Sequence, residues 1–385
     1  MLAAALFAAG RAFVVPPEFP PIPLAAGVSV PGWSCAAAIA AGFAIAPVRR
    51  VTGCLVAACG LGVLFMRDQH WIQPWAWQAF LLLLTEAAFP PAAAVRWQRR
   101  LAVSVYVFSA VSKLDVAFSE HTGRLLLTGG LAPATGLDPR FWGEGLTTAL
   151  TWSLPVGELA AGMLLTWRPA WGVWAAAAMH AGLLLALGPW GLDHHPGVLI
   201  WNVFFAAHVW ALFGGGKTVA ESRRGRRPIR VLAAVVLLLP ALEPLGLWDH
   251  WPSWSVYSNR PAVVRLEVWG MPRVEGCDYV APADPLSGRQ IVSLSGWSFE
   301  TWRTPIYPQE RFQLAAAAAL LDRLPPDAPF AVRVLRYSPL RTGESAERVL
   351  QDRTALKAEL SRYWLNTAPS VWTLPDPLRK WAAPD

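Results

Sequence analysis

Long apolar runs separated by short polar turns fill residues 1–247, whereas residues 248–385 alternate apolar and polar positions over shorter distances. The clear apolar segments fall at about 24–46, 51–66, 75–90, 101–118, 146–167, 170–188, 198–213 and 228–247. A helix needs roughly 20 apolar residues to cross a hydrocarbon core of about 30 Å. The pattern therefore predicts an all-α polytopic membrane domain of about eight transmembrane helices over residues 1–247. Residues 1–15 are apolar but have no basic start and carry Arg11 inside the run, so they read as a short first span or a fragment of one, and not as a signal peptide. In the remainder, 262–270 and 329–337 alternate with β-branched content, and 289–297 does so more weakly, which predicts three strands. Helical composition at 309–323 and 346–365 completes a small α+β domain, 248–385, whose sheet is covered on one face by helices.

Composition sharpens this picture. Hydrophobic residues make up 54% of the 385 residues and charged residues 15%, against about 25% charged in a soluble domain. The net charge of +7 comes mostly from arginines in a few short loops, the pattern of topology determinants and not of a nucleic-acid surface. Arg49 and Arg50, then Arg96 to Arg100, then Arg168, then Lys217 to Arg230 fall on alternate loops, which assigns those loops to the cytoplasm. The turn around His70, the stretch 119–145, the turn 188–197 and everything after about 248 then face the other side, so the C-terminal domain is expected to be extracytoplasmic. The link 248–260, WDHWPSWSVYSNR, is tryptophan-rich in the way of a chain leaving a bilayer. Cys35, Cys54, Cys59 and Cys277 form neither a disulfide framework nor a zinc spacing.

Charge inside an apolar segment is costly, about 2.5 to 3.5 kcal/mol for a lysine at a helix centre, and marks a functional position. Lys113, followed by Asp115, is such a residue in 101–118. The chain has four lysines and twenty-nine arginines. A lysine here is therefore a departure from the usual cation, and lysine, unlike arginine, can serve as a general base. The alternative is a lysine that snorkels to the interface. Counting at 1.5 Å per residue, Lys113 and His180 lie roughly 10 Å from the outer ends of their segments, with Asn202 and Glu243 nearer the surface. These four predict a polar layer around a cavity open to the outside, roofed by 119–145, by Asp193, His194 and His195, and by the C-terminal domain. Each has a structural alternative: His180 and Asn202 as interhelical hydrogen bonds, Glu243 as an interfacial residue, and deeper Glu158 as the partner of another helix. Asp193 with the adjacent His194 and His195 is a poor metal set, and no metal site is expected.

VYVFSAVSKLDVAFSE, 105–120, resembles the helix of vitamin K-dependent gamma-carboxylases and the related bacterial HTTM (horizontally transferred transmembrane) proteins, in which a VYF-x-x-G-x-x-KLD-type motif carries a lysine. In that family the lysine deprotonates a reduced quinone, whose oxygenation drives removal of a proton from a glutamyl γ-carbon. The resemblance implies Lys113 as base, His180 in MHAGLLLALG as the histidine that begins a later family helix, a reduced, vitamin K-like quinone as cofactor, membrane lipid as surroundings and a bacterial inner membrane as location. The asparagine that soon follows the histidine in the family is absent here, and the family's Gly-Phe-Pro appears only as Gly188, Pro189 and Trp190.

Two functions stay open on the sequence. One is a membrane enzyme of quinol-linked oxidoreductase or carboxylase type, with Lys113 and His180 catalytic and Asp115, Asn202, Glu243, His194 and His195 around the pocket. The other is a non-catalytic scaffold, similar to DoxX-like accessory proteins, in which Lys113 and Glu243 form a structural ion pair.

Overall fold

The computed structural model describes residues 18–28, 30–194, 196–215, 227–274, 277–302, 304–337 and 345–382. The expected first span at 1–15, and His195, lie outside the described residues. A helix occupies each apolar segment: α1 Gly32–Ile45, α2 Arg50–Arg67, α3 Pro74–Ala88, α4 Pro91–Lys113, α5 Glu144–Trp167, α6 Pro169–Leu187, α7 Pro196–Phe213 and α8 Arg227–Leu238. Among the described residues four helices are long and apolar enough to cross a membrane, namely α2, α6, α7, and α8 with its 3-10 continuation to Leu245. A fifth span arises if α4 is joined to Val116–Thr135 across an 80° bend. The helices α1 and α3 have 14 and 15 residues, roughly 21 and 22 Å at 1.5 Å per residue, short of a core of about 30 Å. The chain thus has the make-up of an integral membrane protein.

The lysine segment differs from the expected continuous run at 101–118. The helix starts ten residues earlier, at Pro91, and Lys113 is its last residue. Asp115 ends it: its carboxylate accepts the Phe118 N–H at 2.6 Å and caps the next turn, a role that competes with helix continuation. The chain then runs through Val116–Glu120 and Thr122–Arg124, a π-helical stretch Leu125–Leu131, and Ala132–Thr135. This returning segment packs on the end of α6, where a Cβ on Gly130 would stand 2.8 Å from the Ala186 carbonyl oxygen. Only a glycine permits that approach.

Beyond the link lies a four-stranded antiparallel sheet of order β2-β1-β3-β4, with β1 Val263–Trp269, β2 Arg289–Ser293, β3 Phe330–Tyr337 and β4 Ser345–Leu350. Its register places Leu266 opposite both Val292 and Val332, and these residues are fully buried. Three helices accompany it: α9 Leu294–Trp302, α10 Glu310–Leu321 and α11 Arg353–Leu360. Two sequence expectations fail here. The stretch 289–297 is strand only to Ser293 and then turns into α9. The expected helix 346–365 is strand to Leu350 and helix only from Arg353, because SAERVL pairs with β3 along six residues and tertiary pairing outweighs its helix propensity.

The sheet domain does not stand apart from the helices. One hydrophobic core runs from Ile39, Leu61 and Phe65 of the helices through Trp71 to Val264, Trp297 and Phe312 of the domain. Residues 18–24 form a strap inside it, with Phe19 and Ile22 almost wholly buried. Gln69, in the turn between α2 and α3, donates to the Pro23 and Asn366 carbonyl oxygens and accepts from Arg311, which also forms a two-pronged ion pair with Asp249. The domain therefore sits on the end of the bundle that carries the His70 turn. Arg50, bonded to Glu86, and Arg99, bonded to the Leu212 carbonyl oxygen, mark the opposite end.

Candidate functional site

Close approach of α4 and α5 creates the site. A Cβ on Gly162 would lie 2.9 Å from the Tyr106 Cβ, so the glycine lets the two helices touch one turn away from Glu158. Pro155, inside α5, removes a backbone N–H from the ladder beside the same residue. Lys113 and Glu158 meet there: the ammonium donates to Glu158 Oε2 at 2.7 Å and to Ser109 Oγ at 2.6 Å. The side chains are 10% and 14% exposed. A lysine has three donors, and with two directed into the protein one is left for a ligand.

A second chain of hydrogen bonds lies beside it. Tyr106 Oη is 2.8 Å from His180 Nε2, and His180 Nδ1 is 2.9 Å from Asn202 Oδ1. Asn202 Nδ2 donates to the Val198 carbonyl oxygen, which turns its oxygen toward the histidine. His180 Nδ1 then donates to that oxygen, and Nε2 shares the second hydrogen bond with the Tyr106 hydroxyl. The imidazole is held at both nitrogens. Phe205 supports it, 5.2 Å from the Tyr106 ring and 5.3 Å from the His180 ring.

Both chains border one cavity of about 480 Å³, walled mostly by apolar side chains of α4, α5, α6 and α7, by Phe118, Leu126 and Leu131 of the returning segment, and by Val256 and Tyr257 of the link. That volume lies within the range of roughly 300 to 1,000 Å³ typical of small-molecule sites. Gly157 and Gly182 also line it, and a Cβ added to either would meet no atom within 4 Å.

Of the expected residues, Lys113, His180 and Asn202 line the cavity; Asp115, Glu243 and His194 do not. Asp115 is consumed as a helix cap. Glu243 lies in the 3-10 turn after α8, bonded to Arg260 at 2.8 Å and His250 at 2.7 Å, so the expected Lys113–Glu243 pair is replaced by Lys113–Glu158. His194 packs behind the roof, its ring 5.9 Å from that of Tyr257. Of the expected roof, the returning segment and the link border the cavity, whereas Asp193 and His194 do not, and the sheet itself rests on the strap and the His70 turn. Tyr106, Ser109 and Glu158 escaped the sequence reading as members of the layer. The spacing i, i−4, i−7 from Lys113 puts Ser109 and Tyr106 on one helical face and could have found two of them.

The junction under the sheet holds a second buried cluster. Burial pushes the Asp68 carboxyl up to about 7, although the backbone N–H groups of His70 and Ile22 oppose this. Burial also pushes His70 down to about 4. His70 stacks on Trp302 at 5.2 Å and places Nε2 3.1 to 3.2 Å from the Pro305 carbonyl oxygen and the hydroxyls of Ser298 and Thr304. Comparison with known protein families, curated proteins and solved structures finds no match to this chain.

Proposed function

We propose that this is a membrane-embedded enzyme that binds a lipid-soluble, ring-bearing reductant of the reduced-quinone class, with Lys113 as the base that takes a proton from it. One observation carries the reading: a buried lysine amine stands at the wall of a cavity of about 480 Å³ whose walls are otherwise mostly apolar and aromatic. In this reading the chain resembles the gamma-carboxylase and HTTM proteins, has about eight membrane segments with α1 and α3 as short members, and lies in a bacterial inner membrane. The alternating arginine loops support a cytoplasmic face at Arg50 and Arg99 and an extracytoplasmic sheet domain.

The donor set fits such a cofactor. Trp201, Phe205 and Tyr257 offer ring contacts, while Lys113 and the Tyr106 hydroxyl offer polar ones. When bound, the reductant would supply an acidic ring hydroxyl and two electrons. The residues then divide the remaining work. Glu158 balances the ammonium and is placed to take its proton, which leaves the amine free to accept another. His180, fixed by Asn202, holds the Tyr106 hydroxyl in place.

The test is extraction of the purified protein followed by mass spectrometry. A ring-bearing isoprenoid lipid is expected at near-stoichiometric amount in the wild type and is expected to fall at least fivefold in Gly182→Leu, whose new side chain enters open space in the cavity. Equal traces in both sink the reading. A second reading, a non-catalytic scaffold, is favoured by the mutual satisfaction of Lys113 and Glu158. It predicts that the double variant Lys113→Met/Glu158→Leu keeps every cellular function of the protein.

A further inference from the structure

The end of α4 is held from outside the helix. Helix termini leave carbonyl groups without helical partners. Here the Val111 carbonyl oxygen, two residues before Lys113, has only a long 3.4 Å contact from the Leu114 N–H within its own chain turn. Arg260 fills the gap: its Nη2 donates to that oxygen at 2.9 Å, its Nη1 donates to Glu243 at 2.8 Å, and its Nε lies 3.9 Å from the Asp115 carboxylate. The side chain is 8% exposed. Arg260 stands three residues before β1. It therefore joins the Lys113 helix, the cap that breaks that helix, and the end of the last membrane segment to the first strand of the sheet domain. His250 and Ser255 complete the cluster on Glu243.

The link ahead of Arg260 follows a strained course. Trp254 and Tyr257 have φ of +64° and +60°, a region that residues with a side chain enter at a cost of order 1 to 3 kcal/mol and keep only when their surroundings enforce it. Val256 and Tyr257 line the cavity. A single short segment thus roofs the ligand space and clamps the helix end that carries the amine.

We propose that Arg260 is a positioning residue for Lys113, so that docking of the sheet domain sets where the amine stands in the cavity. The proposal takes from the functional reading only that Lys113 is the group that meets a cavity ligand. Without Arg260 the turn at Leu114 loosens, and the amine leaves its seat between Ser109 and Glu158. A protein that pulled on the sheet domain would act on the site through the same residue.

The test is the rate at which a membrane-permeant aryl isothiocyanate modifies Lys113 in the purified full chain, followed residue by residue by mass spectrometry, with Lys357 and Lys380 as references. In Arg260→Gln the Lys113 rate is expected to rise at least fivefold while the reference rates stay within twofold. Arg260→Lys keeps the charge beside Glu243 but cannot make both guanidinium contacts, and is expected to fall between wild type and Arg260→Gln. Arg336→Gln, a change at a distant exposed arginine of the sheet domain, is expected to leave Lys113 as in wild type. If Arg260→Gln cannot be purified folded, Arg260→Lys against Arg336→Gln carries the test, with a rise of at least twofold expected. A Lys113 rate in the folded variants equal to wild type overturns the proposal, as does an equal rise in Arg336→Gln. This outcome is independent of the lipid extraction: an unchanged rate leaves a bound lipid standing, and an absent lipid leaves the coupling measurable.

Discussion

The layer around Lys113 and the junction around His70 are both buried polar clusters set between helices, yet one borders a cavity and the other is filled by aromatic rings. Around Lys113 each polar group has a partner and space lies in front of it. Around His70, Trp302, Phe19 and Phe312 close in on the ring, and Asp68 Oδ2 and His70 Nδ1 find no hydrogen bond among the described residues. Burial of titratable groups alone thus does not distinguish a site from a seam. In the seam aromatic rings stand against His70, and its polar groups tie one part of the chain to another.

The contrast can be broken at its strongest point first. Glu158→Leu leaves the Lys113 ammonium buried without its counter-ion, which is expected to cost about 3 to 5 kcal/mol, and adding Lys113→Met is expected to recover much of that loss. Thermal unfolding in detergent measures both. Arg311→Met strands Asp249 under the sheet and is expected to cost about 3 to 4 kcal/mol of domain attachment, read as earlier proteolysis of the link, with no change in bound lipid.

A third test uses pH. His70 is pushed down from 6.5 to about 4, so its contribution is complete above pH 6.5 and is lost as pH falls toward 4, by about 3 kcal/mol. Asp68 is pushed up from 3.8 to about 7, so its contribution is complete below pH 3.8 and is lost as pH rises toward 7, by a similar amount. The two slopes oppose each other. Asp68→Asn is expected to yield a junction that weakens on acidification from pH 6.5 to 4, and His70→Gln one that strengthens between pH 7 and 4. Link proteolysis across that range would show flat profiles for both if the assignments are wrong. The smallest effect belongs to Asn202→Ala, which frees His180 Nδ1 and is expected to cost about 1 to 3 kcal/mol in unfolding measurements.

Much of this was legible in the sequence. All eight helices stand on the apolar runs, because spacing and length are local properties. Lys113, His180 and Asn202 do share one layer. Depth counted from segment ends misplaced Glu243 and left Glu158 apart, because α4 stops at Lys113 where a continuous run was expected, and Asp115 turns the chain away. A cap that outcompetes helix continuation is decided by the backbone it finds, and KLD alone does not declare it. Gln69 and Arg311 were invisible for another reason: their partners lie 242 residues apart in the chain, and no local pattern reports that.

The strap at 18–24 has a consequence for how the chain assembles. Trp297 donates to the Glu18 carbonyl oxygen across 279 residues, Asn366 to that of Pro23 across 343, and Ser370 to that of Pro21 across 349. Chains emerge from the ribosome N-terminus first, at about 5 to 20 residues per second, so Phe19 and Ile22 are made long before the tryptophan that covers them. Contacts of such sequence separation form late, since loop closure must precede any gain from them. During synthesis the helices are complete while the end that carries the His70 turn still holds an uncovered apolar segment. A chain truncated before Trp297 would keep every helix from α1 to α8 and never leave that unfinished state.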